Sequence, residues 1–114
     1  MSWDATLTDD RGHTEGDWNC THNVAPMIYD AIERSSTIEP LTERESWYDR
    51  LNGMTGTDGR DYLTTIICAL EADPARYEAM NPPNGWGSYD GLLGVLREMR
   101  DRVPDWPTVW STSG

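Results

Sequence analysis

The sequence predicts an α+β fold in a single domain, residues 1–114, with a small antiparallel sheet (an N-terminal hairpin plus a C-terminal strand) covered by about four helices. Three observations predict it. Apolar and polar residues alternate near both ends of the chain. Between those ends, apolar residues recur at helical spacing. The length of 114 residues suits one ordinary domain that buries one modest core.

The elements follow in order. Trp3, Ala5 and Leu7 alternate with Asp4, Thr6 and Thr8, the signature of a half-buried strand. Asp9 to Gly16 is polar, carries two Gly and predicts a loop. Trp18 to Asn23 alternates again, with Trp18, Cys20 and His22 on one face and Asn19, Thr21 and Asn23 on the other. From Val24 to Ser35 the stripe Val24, Met27, Ile28, Ala31 and Ile32 predicts a helix, with Asn23 as its cap and Pro26 in its first turn. Thr42 with Glu45 matches a capping box that opens a helix ending near Gly53, with Trp47, Tyr48 and Leu51 inward.

Gly53 to Gly59 predicts a turn-rich loop. Asp61 to Ala72 carries the clearest helical stripe, Tyr62, Leu63, Ile66, Ile67 and Leu70. Asp73-Pro74 restarts a short helix, and Asn81 to Gly87 is irregular. Ser88 caps a helix with Tyr89, Leu92, Leu93, Leu96 and Met99 inward, which Pro104 stops. Trp106 to Ser111 alternates once more, and Pro107 marks it as an edge or starting strand.

Composition excludes several functions. With 9 basic and 20 acidic residues the formal charge is −11, which repels phosphate backbones and argues against direct nucleic-acid binding. No apolar stretch approaches the ~20 residues of a membrane span, and no basic segment with an apolar run opens the chain as a secretory signal would. A cytoplasmic location is the expectation. All nine basic residues are Arg, and there are six Trp but no Phe. Six Trp exceed the needs of one small core, which points to Trp3, Trp106 or Trp110 at a homodimer contact.

Two segments carry recognition chemistry. In Asn19-Cys20-Thr21-His22-Asn23, two amides and a hydroxyl stand about 7 Å apart along one strand face and run into a helix N-terminus. Such groups both donate and accept, as a neutral polar ligand requires. In Asn81 to Tyr89, a Pro pair stiffens the chain, and Gly residues flank Trp86 beside a second helix start at Ser88 and Tyr89. An aromatic held there can stack a ring. The expected ligand site is Asn19, Thr21, His22, Asn23, Asn84, Trp86, Ser88 and Tyr89. His13, Cys20 and His22 lack the count and spacing of a metal site, and no nucleophile signature accompanies the two Cys and two His. No catalytic residue, metal or cofactor is therefore expected.

These segments resemble a family of small actinobacterial and bacteriophage proteins with an N-x-T-[HS]-N motif and an NPxNGWGxY motif. The matching stretches are Trp3 to Leu7, Asn19 to Met27, Ala72 to Tyr77 and Met80 to Gly91, which span most of the chain. Cys20 departs from the pattern, where Tyr or another apolar residue is usual, and the closing Arg of the last strand is missing. The resemblance implies a fold and a phage or mobile-element setting, with no activity to carry over. The expected function is non-enzymatic: sequestering a small polar, nucleotide-like ligand or immune signal in a cleft between the Asn19/Thr21/Asn23 strand and the Gly85-Trp86-Gly87 loop. The alternative is an acidic inhibitor of a basic host protein, acting as a nucleic-acid mimic or counter-defence protein.

Overall fold

The computed structural model describes residues 2–114. The order is β1 (Ser2–Asp9), β2 (Thr14–Thr21), a 3-10 turn (His22–Val24), α1 (Ala25–Arg34), α2 (Trp47–Leu51), α3 (Gly56–Ala72), α4 (Pro74–Glu78), α5 (Tyr89–Asp101) and β3 (Thr108–Ser113). The three strands form one antiparallel sheet in the order β2-β1-β3, so the chain is the α+β fold its sequence predicts.

β1 is the central strand, and its inward positions are apolar. Trp3, Ala5 and Leu7 are fully buried under the helices. The register sets Trp3 opposite Cys20 and Ala5 opposite Trp18 on the inner face. On the outer face Asp4 lies opposite Asn19, and Thr6 opposite Asp17. Every helix adds to one buried cluster: Met27 and Ile28 from α1, Trp47 from α2, Leu63 and Ile67 from α3, Tyr77 from α4, and Leu92 and Leu96 from α5. Trp3 and Trp47 meet edge to face with ring centres 4.8 Å apart, a favoured aromatic geometry that joins the sheet to α2.

The two sides of the sheet end differently. Beyond β3, Met54 O accepts the Trp110 amide (2.9 Å), Gly53 donates to Trp110 O (2.8 Å), and Asn52 Oδ1 accepts the Thr112 amide (2.9 Å). β2 closes the other side as an edge strand that carries Glu15 and Asp17.

Several boundaries differ from the sequence expectation. β2 starts at Thr14, because the Asp9 carboxylate accepts the amides of Arg11 (2.9 Å) and His13 (2.8 Å) and closes a tight turn. Gly16 hides the inward alternation: it faces Leu7, and the Trp18 ring occupies the space its side chain would need. Thr21, not Asn23, caps the turn into α1, its Oγ1 accepting the Asn23 amide at 3.2 Å.

α2 is shorter than Thr42–Gly53. Thr42 and Glu45 do bond (3.3 Å), but only as one turn, and Arg50 also holds Glu45 at 2.7 Å. A second capping box, Ser46 with Asp49, opens the helix instead. α3 begins at Gly56, inside the expected loop, with Thr55 as cap. The last strand begins at Thr108, after Pro107, and leaves Trp106 outside the sheet and 54% exposed. Trp3 and Trp110 are fully buried, which removes both from any dimer contact.

Two outcomes test this packing. Gly59 lies under Trp110, and a Cβ there would collide with the indole and with Leu51. Gly→Ala in a helix ordinarily stabilises by about 0.5–1 kcal/mol, yet Gly59→Ala is expected to destabilise by about 1–3 kcal/mol in urea denaturation. Asp30 joins α1 to α4 through two bonds to Arg76 (2.9 and 2.7 Å), and the guanidinium lowers its pKa. A lowered folded-state pKa contributes stability above the unfolded carboxylate value that is lost as pH falls through the folded one. The urea midpoint of Asp30→Asn should therefore lie below that of the native chain at pH 7 and converge with it near the acid end.

Candidate functional site

The end of β2, the 3-10 turn and the loop before α5 bring part of the expected set together. The loop from Asn81 to Ser88 is held by its own polar side chains. Asn84 Oδ1 accepts the Trp86 amide (3.0 Å), Pro82 O accepts the Gly85 amide (3.2 Å), and Asn81 Oδ1 accepts the Tyr89 amide (2.8 Å). Gly85 and Gly87 have φ of 77° and 93°, a region that side-chain-bearing residues rarely adopt. Asn23 reaches across from the turn and donates its Nδ2 to Trp86 O (3.4 Å). Gly87 packs so closely on Thr21 and Val24 that a Cβ there would overlap both side chains.

Thr21, Asn23, Asn84 and Trp86 therefore share one rim. The Trp86 backbone is held from both sides while its ring stands 70% exposed. The other expected residues serve elsewhere. Asn19 donates to Asp4 Oδ1 (2.8 Å), Ser2 Oγ (3.0 Å) and Trp3 O (3.3 Å), which clamps β2 to β1 on the outer face. The His22 ring lies 5.8 Å from that of Tyr48. Ser88 caps α5 by accepting the Gly91 amide (3.0 Å). Tyr89 points inward, stacks on Tyr77 at 6.0 Å and donates its hydroxyl to Leu70 O (2.7 Å).

Clefts of the surface lie elsewhere, among them an open one of about 550 Å³ at Glu45, Arg50 and Tyr62 and one of about 480 Å³ at Arg11, His13 and Glu15. One of about 430 Å³ lies between the start of α3 and Trp106. Another of about 270 Å³ lies between the end of α1 and the connector at Ile38 and Leu41. None is lined by the rim residues. The 430 Å³ cleft includes Arg60, Trp106 and Thr108; the sequence reading set Trp106 at a dimer contact and gave Arg60 and Thr108 no functional role. Its sequence signal is Thr55 with Asp58 three residues on, a cap pattern masked by the Gly residues around it.

Charge is unevenly matched. Arg34, Arg50, Arg76, Arg97, Arg100 and Arg102 each pair with a carboxylate, and all six lie outside the hairpin. Among the described residues, Asp4, Asp10, Glu15 and Asp17 on the hairpin have no Arg partner, and Asp9 faces His13. No group of three or more His, Cys, Asp and Glu among the described residues is arranged to hold a metal ion. His13 and Cys20 sit near opposite ends of β2. No described helix is long and apolar enough to cross a membrane.

Burial pushes the Cys20 thiol up, which disfavours the reactive thiolate. Cys68 is exposed on α3. Alkylation with iodoacetamide at neutral pH should modify Cys68 readily and Cys20 slowly, and Cys68→Ser should leave only the slow phase by mass spectrometry. A fast phase persisting in Cys68→Ser would contradict this account of Cys20. No family model, no curated protein and no solved structure matches this chain.

Proposed function

We propose that the protein is a non-enzymatic binding protein whose contact point is Trp86 and whose occupant is the surface of a basic protein partner. The observation that carries this reading is an indole 70% exposed on a loop whose backbone is pinned on both sides. Exposing a large aromatic costs solvation, while Trp is enriched among the residues that dominate binding energy at protein interfaces. A loop already ordered in the free protein loses little entropy on docking.

The charge of −11 supports a partner of positive sign. Carboxylates stand on every helix and on both hairpin strands, so they form no single acidic face; that counts against a nucleic-acid mimic and leaves the charge only as long-range attraction. In the phage-type setting that the resemblance implies, such a protein would act in the host cytoplasm and block a basic host factor. The other occupant, a small nucleotide-like ligand on this rim, is less well supported. Asn19 is committed to β1, and the rim lines none of the clefts described above.

Trp86→Ala tests the reading. The ring is exposed, so the Tm should move by no more than about 0.5 kcal/mol of stability would shift it. A specific host protein captured by the native chain should be lost with the variant, at a cost of about 2 kcal/mol or more. Capture by the native chain should also weaken steeply with added salt. Identical capture by the native and Trp86→Ala chains would sink the proposal.

A further inference from the structure

The cleft beside Trp106 combines four features that no other part of the described surface brings together. Its floor is the N-terminus of α3, a helix of 17 residues. Thr55 Oγ1 answers the Asp58 amide at 3.2 Å, which leaves Gly56 and Thr57 as the first amides of the helix, groups without intrahelical partners. Arg60, one turn on, lines the cleft, and its guanidinium makes no ion pair or hydrogen bond among the described residues. Trp106 forms a wall, 54% exposed, with its Nε1 fixed on Glu15 Oε1 at 3.0 Å.

The fourth feature is Thr108. It is only 8% exposed, and its hydroxyl has no hydrogen-bond partner. That hydroxyl lies directly against Gly56, where a Cβ would overlap it. It is an unanswered polar group directed at the start of the helix.

We propose that this cleft binds a phosphate monoester carrying a planar aromatic ring, the chemistry of a nucleoside monophosphate. The phosphate takes the α3 N-terminus and Arg60, and the ring stacks on Trp106. A helix start offers free N–H donors and a positive dipole end, and an unpaired guanidinium adds charge-assisted bonds to phosphate oxygens. The Thr108 hydroxyl turns about χ1 to meet the same oxygens. An indole face stacks a base of any identity. The volume of about 430 Å³ lies within the range of small-ligand sites. Asp105, the one carboxylate lining the cleft, opposes the phosphate and sets a ceiling on affinity. This site is separate from Trp86, so either reading can fail without the other.

Isothermal titration of the full chain with adenosine 5′-monophosphate, adenosine and inorganic phosphate tests it, alongside the amide resonances of Gly56 and Thr57. The monophosphate should shift both resonances and bind about tenfold or more tighter than either fragment. Arg60→Gln and Trp106→Ala should each weaken it about tenfold, Asp105→Asn should tighten it severalfold, and Trp86→Ala should leave it unchanged. Thr108→Val should raise the Tm of the free protein yet lower the affinity severalfold, a split that a purely structural threonine would not produce. No heat and no shift at millimolar monophosphate overturns the proposal. So does monophosphate binding that ignores Arg60→Gln and Trp106→Ala, or adenosine binding as tight as the monophosphate.

Discussion

The packing of Trp110 ties together the hairpin, the 52–54 segment and the start of α3. Trp110 sits in the middle of β3, fully buried, and faces three ways. Its ring lies 5.7 Å from that of Trp18, joining the last strand to the hairpin across the inner face. Its backbone bonds to Gly53 and Met54, and its Nε1 donates to Gly56 O at 3.3 Å. The indole also rests on Gly59, where only a residue without a side chain lets the helix come this close. α3 therefore starts where it does because Trp110 holds its first turn. The same contact brings Thr108 and Trp106 against that turn and so builds the cleft between them.

Much of this was legible in the sequence, and what was not has identifiable causes. β1 and α5 were plain, since their inward positions are apolar at the period of their element. β2 was half hidden because Gly16 leaves its inward position to the ring of Trp18, so alternation vanishes where the strand begins. The start of α3 was hidden for a related reason. Gly56 and Gly59 read as loop residues locally, but they are helical because a strand packs on them. Two capping boxes competed before α2, and no local rule ranks Thr42 with Glu45 against Ser46 with Asp49. Tertiary contacts decided: Arg50 takes up Glu45 and turns the first box into a simple turn.

The candidate site was legible as chemistry but not as geometry. Asn23 and Asn84 of the expected set come together at the loop that holds Gly87, and they meet there as braces for that loop. Side-chain amides look alike in a sequence whether they face a ligand or a backbone carbonyl. Asn19 shows the difference, since its amide is taken up by Ser2, Trp3 and Asp4 across the sheet. Tyr89 and Ser88 belong to the core and to a helix cap. The exposure of Trp86 could not be read locally, because the motif would look the same with the ring inside.

The unequal edges of the sheet bear on how the protein behaves as a colloid. One side is sealed by residues 52–54, so strand addition there would first require removing a segment that Trp110 holds in place. The other side, β2, is an edge strand where Arg102 donates to Glu15 O at 3.0 Å, and its guard is charge: the carboxylates of Glu15 and Asp17 lie along it without an Arg ion pair. Edge-to-edge growth is opposed by the like charge of those carboxylates. Growth by strand addition would thus have one side of the molecule to start from, and charge stands guard on that side.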